Sequence, residues 1–314
     1  MVSGAIKKVL QDASGRRALG VVLGIAALSG CSVQRIAVRS IGDFLASGPS
    51  VYETENDPAL VAEALPFGLK LIDSLLAEQP DHRGLLLAAA RGYLLYGYAF
   101  VGVPAEQARF DDVERARSLR QRARNLYLRA HGYARRALAL DYPGIDAALL
   151  ADPEHALVEV DTPVRDVPAL YWTAASLGLA ISSSRNEPAL LARVPEVEAL
   201  LQRAFVLDDA WSAGALHEFA ISLAGAGTAA ADTAVLEQHY ERAQELAEGR
   251  NAGLHVTFAE VVAVPEQDRD RFVELLERAL AVDVDAYPEQ RLLNVLAQQR
   301  ARWLLDNIDE FFLD

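Results

Sequence analysis

Arg136-Ala137-Leu138-Ala139-Leu140-Asp141 closes a long arginine-rich stretch, and the same kind of phrase recurs at Leu75-Leu76-Ala77-Glu78-Gln79-Pro80, Gln202-Arg203-Ala204-Phe205-Val206-Leu207-Asp208 and Glu277-Arg278-Ala279-Leu280-Ala281-Val282-Asp283. Each places apolar residues three and four apart and then stops at an aspartate or a proline, as the end of an amphipathic helix does. The endings fall about 60 to 75 residues apart, room for two helices between one ending and the next. One amphipathic helix pair cannot cover its own apolar face, so pairs of this kind stack on their neighbours.

Outward from these phrases the pattern stays helical. A helix opens at Asp57-Pro58, an N-cap followed by proline at the first helical position, and runs to about Glu78 before Pro80. Its partner is expected from about Asp81 to Val101, and a long helix from about Asp111 to Leu140. Further helices read at 168–184, 188–207, 209–225, 231–248, 253–262, 266–282 and 287–311. Nowhere from Asp57 onward does a Val/Ile/Thr alternation bounded by turn residues suggest a strand. The fold expected is all-α: degenerate, tetratricopeptide-like helical hairpins stacked as a solenoid with a concave wall.

The N-terminus reads differently. Lys7, Lys8, Arg16 and Arg17 precede an apolar run, Ala18 to Leu28, which ends in Leu28-Ser29-Gly30-Cys31. That is the order of a lipoprotein signal peptide, with small residues where a peptidase must reach the backbone and a cysteine to carry the lipid. A run of about 11 residues falls short of the roughly 20 that span a bilayer. The domains expected are a signal peptide over 1–30, a tether lipidated at Cys31 over 31–56, and the helical body over 57–314. Ser32 after the cysteine favours the inner leaflet of the outer membrane, facing the periplasm.

Thirty basic against 44 acidic residues give a net charge of −14, and removal of residues 1–30 moves it to about −17. Such a polyanion repels phosphate backbones, so no nucleic-acid partner is expected. The single cysteine and single methionine leave no disulfide, zinc-thiolate site or cysteine nucleophile in the body. The same field gives no long-range help to an anionic ligand, so apolar or amphipathic molecules suit the body better than small acids.

Aromatic residues Tyr96, Tyr98, Tyr171, Trp172 and Trp211 are candidates for an apolar channel, with ordinary core packing as the competing reading. His217-Glu218 starts like a zinc-protease motif, but Ile221 stands where the second histidine belongs, so no metal is expected. His217, Glu218 and Glu260 are read either as buried polar groups or as lining a cleft. No nucleophile with its base, phosphate-cradling loop or metal cluster is legible; neither catalytic residues nor a cofactor are expected, and the chain is read as a binding protein rather than an enzyme.

Several segments together resemble the T-component family of tripartite ATP-independent periplasmic (TRAP) transporters. They are Ala46-Ser47-Gly48 through Asp57-Pro58, Ala64-Leu65-Pro66-Phe67, His82-Arg83-Gly84-Leu85-Leu86-Leu87-Ala88, Gly214-Ala215-Leu216-His217-Glu218-Phe219, Val256-Thr257-Phe258-Ala259-Glu260 with Val264-Pro265-Glu266-Gln267-Asp268-Arg269, and Gln299-Arg300-Ala301-Arg302-Trp303-Leu304-Leu305. The resemblance covers about residues 45–313 and is thinnest over 104–165. It implies a periplasmic, lipid-anchored helical protein that partners a TRAP substrate-binding protein, self-associates as a trimer, and holds a hydrophobic small molecule in a cleft or pore. The alternative from the sequence is a tetratricopeptide-like lipoprotein that scaffolds envelope proteins without a ligand.

Overall fold

The structure is a computed structural model that describes residues 51–184, 186–226 and 232–313. Residues 1–50, read above as a signal peptide and the start of a tether lipidated at Cys31, lie outside the described residues. Among the described residues every regular element is helical.

The chain opens with α1 (Pro58–Glu78), whose N-cap Asp57 accepts from Ala59 N at 2.9 Å and Leu60 N at 3.2 Å. Next come α2 (Arg83–Gly97), a π-helical turn (Tyr98–Gly102) and α3 (Val103–Gln107), then the 29-residue α4 (Val113–Asp141), capped by Asp112. Two short helices, α5 (Ile145–Ala151) and α6 (Pro153–Ala156), precede α7 (Pro163–Ser182). α8 (Pro188–Leu191), α9 (Val194–Leu207), α10 (Trp211–Ala226) and α11 (Thr233–Ala247) follow. The last part is α12 (Ala252–Phe258), a second π-helical turn (Ala259–Ala263), α13 (Val264–Glu266), α14 (Arg269–Ala281) and α15 (Arg291–Asp306).

Three differences from the sequence expectation share one cause. The single helix expected over 188–207 is broken at Ala192 and Arg193, because Pro195 has no N–H for the Leu191 carbonyl and its ring would crowd that oxygen. The second helix does not stop at Val101 but passes through a π turn and continues to Gln107, and the helix expected over 253–262 likewise continues to Glu266. Both π turns end two residues before a proline, at Val103-Pro104 and Val264-Pro265. A wider turn ahead of each proline absorbs the lost i→i−4 hydrogen bond without ending the helix. The helices at 145–156 were not expected at all.

Packing runs along the chain: α2 on α4, α4 on α7, α7 on α9, α10 on α11, and α12 on both α14 and α15. Two large apolar clusters result, one around Leu170, Leu177 and Leu200, the other around Phe258, Phe272 and Leu304. Each such fully buried side chain contributes roughly 1.5–3 kcal/mol. Polar pins add register. Asp73 of α1 accepts from Tyr93 Oη of α2 and Tyr133 Oη of α4, both at 2.7 Å. The C-terminal helix then returns to the start: α15 touches α1, and Leu292 N donates to Glu53 O at 3.0 Å. Residues 51–56, the end of the stretch read as a tether, therefore lie against the folded body.

Segment 83–107 is long and apolar enough to cross a membrane by composition, with a mean hydropathy of 1.3, yet only part of it is buried. Its apolar character has two sources here. One face packs into the core through Leu85, Leu86 and Tyr93, and the other, with Leu95, Tyr98 and Ala99, faces a cavity.

Candidate functional site

A cavity of about 1210 Å³ lies between the helices. Its walls come from α1, α2, the first π turn, α3, α7, α10, α12 and α15, while α4, α9, α11 and α14 contribute none of the lining. From α4 to α15 the long helices that line it are interleaved with those that back them, whereas α1, α2 and α3 all contribute to the lining. The helix-ending phrases of the sequence fall on α4, α9 and α14, all in the backing set, and on α1.

An aromatic wall forms one side. Tyr171 packs against Trp172 and Trp211, each at 4.8 Å between ring centres, and against Phe219 at 5.9 Å. Tyr98, on the first π turn, is 46% exposed, and that exposure is to the cavity. Burial, together with the nearby Glu260 and Glu106 carboxylates, pushes the Tyr98 phenol up, so it is held as a neutral hydroxyl.

Five charged residues line the cavity: Glu53, Arg91, Glu218, Glu289 and Arg300. Arg91 is ion-paired with Glu53. Arg300 Nη2 donates to Glu260 on the second π turn at 2.5 Å and to Glu106 of α3 at 2.7 Å, and its guanidinium lies 4.8 Å over the Trp303 ring. Glu289 sits on the exposed rim. Glu218 is different. Its Oε2 accepts from Asn251 Nδ2 at 2.7 Å and its Oε1 from Thr257 Oγ1 at 3.4 Å, and no cation pairs with it among the described residues. Asn251 caps α12 through its Oδ1, which accepts from Leu254 N at 3.1 Å, so its amide must turn Nδ2 toward the carboxyl. Burial raises the Glu218 carboxyl, and the Asn251 and Thr257 donors offset this only in part. A Cβ on Gly253 would stand 3.1 Å from Glu218 Oε1, so a glycine is needed for α12 to come this close.

Of the sequence candidates, Tyr98, Tyr171, Trp172, Trp211 and Glu218 line the cavity. Tyr96 does not: it packs against Phe100 and accepts from Arg122 at 3.2 Å. His217 faces away from the cavity, its Nδ1 2.8 Å from His239 Nδ1 and its ring against Phe205. Glu260 also lies outside the lining and acts on it through Arg300. No group of three His, Cys, Asp or Glu side chains among the described residues could hold a metal ion. The sequence reading missed Arg91, Asn251 and Arg300 as site residues. Asn251 carried a usable signal, an N-cap residue before Ala252-Gly253-Leu254, whereas the ion pairs of Arg91 and Arg300 join positions too far apart to be seen in the sequence.

Among the described residues the chain is an all-helical body with an aromatic-walled cavity between its helices. Residues 54–312 match the family TRAP transporter T-component, and the chain belongs to that family. It is also 32% identical over 304 residues to an uncharacterized protein of Treponema pallidum (strain Nichols), covering 91% of this chain and 94% of the relative. The family is one of transporter components, not of enzymes.

Proposed function

We propose that the chain is a lipid-anchored periplasmic T-component that docks a TRAP-type substrate-binding protein and holds a small, largely apolar molecule in its central cavity. The cavity carries this reading. It is about 1210 Å³, above the roughly 300–1,000 Å³ usual for a ligand site and so roomy enough for one, and its aromatic wall offers large apolar area with a few convergent polar groups. Successive helix pairs are read as degenerate tetratricopeptide-like repeats whose inner helices supply the wall. A lipid on Cys31, followed by Ser32, is read as holding the body at the outer-membrane inner leaflet, where soluble partners reach it. Self-association as a trimer belongs to the same reading.

A pull-down of the lipidated protein from envelope extract tests it. Enrichment of a TRAP substrate-binding protein at low and moderate salt is the expected result. Failure to enrich any such protein under both conditions contradicts the docking role.

A further inference from the structure

We propose that the cavity selects a cationic amphiphile, an amine or quaternary ammonium head held at the Glu218 carboxylate with its apolar body laid along Tyr171, Trp172, Trp211 and Phe219. This rests on the reading of the cavity as a ligand site and names the class of molecule it takes.

The charge balance inside the cavity points there. Both lining cations are already neutralised, Arg91 by Glu53 and Arg300 by Glu260 and Glu106. Arg300 Nη1 has no hydrogen-bond partner, but that atom is fully buried. An anionic head would therefore meet no available positive charge among the described lining residues, and would face Glu218. A cation finds the opposite: one carboxylate away from the rim with no counter-ion, fixed by Asn251 at 2.7 Å. Burial already works against the ionised form of that carboxyl, and an incoming ammonium relieves the strain.

The aromatic wall supports the same head group. Its rings pack on one another at 4.8 Å, too close to enclose an ion between them, so they form a continuous surface rather than a cage. Glu218 and Tyr171 both line the cavity, and the Glu218 charge lies close enough to the Tyr171 phenol to help push it up, which puts the carboxyl beside that surface. A ligand with a charged end and an apolar length matches it, and ring faces add attraction to a cation lying near them. The whole chain, at −14, draws cations toward it as well.

The test uses the full chain carrying Cys31→Ser, purified without detergent, titrated with decyltrimethylammonium, decanol and decanoate while the fluorescence of Trp172 and Trp211 is followed. Expected is binding of decyltrimethylammonium about tenfold tighter than of either other probe. That preference should shrink with added salt and vanish in Glu218→Gln, while decanol affinity in the variant stays unchanged and reports an intact cavity. Decanol and decanoate binding as well as the cation, or a cation preference that survives in Glu218→Gln, overturns the inference and leaves the cavity reading standing. Failure of all three probes to bind overturns both.

Discussion

Arg300 Nη2 lies 2.7 Å from Glu106 Oε2, a contact between residues 194 positions apart that ties the last long helix to the end of the second. The same nitrogen holds Glu260, so one guanidinium on α15 bridges α3 and the second π turn. Arg300 is 8% exposed, and its removal leaves the less exposed partner, Glu260, without a counter-charge near Tyr98. Leaving a partly buried carboxylate without its partner costs on the order of 1–3 kcal/mol. Arg300→Met is expected to lower stability to urea by that order, and Glu260→Gln in the same background should recover part of it. A loss below about 0.5 kcal/mol, as for an exposed pair, would show that the closure does not depend on this contact.

Histidines set the acid side of stability. Burial, and then the Arg193 guanidinium, holds His131 down to about 3. Its geometry requires the neutral ring, with Nδ1–H donating to Thr173 O at 3.2 Å and Nε2 accepting from Arg193 Nη2 at 2.9 Å. Burial, with His239 beside it, holds His217 down to about 4, and burial with Arg278 nearby does the same to His255, also to about 4. Each pKa lies below the unfolded value of about 6.5, so the unfolded chain binds more protons as the medium acidifies. The stability these rings contribute is complete above that value and is lost as pH falls toward 4. Chemical denaturation at pH 7.5, 6 and 5 should give steadily lower midpoints, with a shallower decline in His131→Gln. A midpoint that rises from pH 7.5 to 5 would contradict the assignment of these rings as neutral.

Gly214 has a φ of 89°, following Ser212 and Ala213 at 51° and 54°. A Cβ there would also meet the Ala243 backbone at 3.0 Å, where α10 starts against α11. Gly214→Ala meets both penalties and is expected to cost roughly 2–4 kcal/mol. Thermal melts by far-UV circular dichroism check it; an unchanged transition would mean that the turn relaxes freely.

Cys31→Ser is expected to release the protein from the envelope membrane into the soluble periplasmic fraction with its helical content intact. Cell fractionation with immunodetection reads the outcome, and continued membrane association of the variant would remove the lipid anchor from the proposal.

The helical class was legible because apolar residues recur three and four apart up to four similar endings at Pro80, Asp141, Asp208 and Asp283. The breaks were not, because Pro104, Pro195 and Pro265 act differently: one ends a helix and two induce π turns, a choice made by tertiary packing. Within the site, Tyr171-Trp172 and Trp211 stood out as bulky aromatics on expected inner helices. His217 and Glu218 were read together as neighbours, yet consecutive helical positions differ by about 100°, so one faces His239 and the other the cavity. The ionic partners of Arg300 depend on chain closure over nearly 200 residues and leave no local mark.

The most direct measurement is native mass spectrometry of the protein isolated from envelope, beside a Ser222→Trp variant that fills the cavity next to Glu218 with its far-UV spectrum unchanged. Expected is an organic molecule bound to the native protein, released on denaturation and missing from the variant. Protein that carries no bound mass in the native form, or the same bound mass in both, would contradict a ligand site in the central cavity.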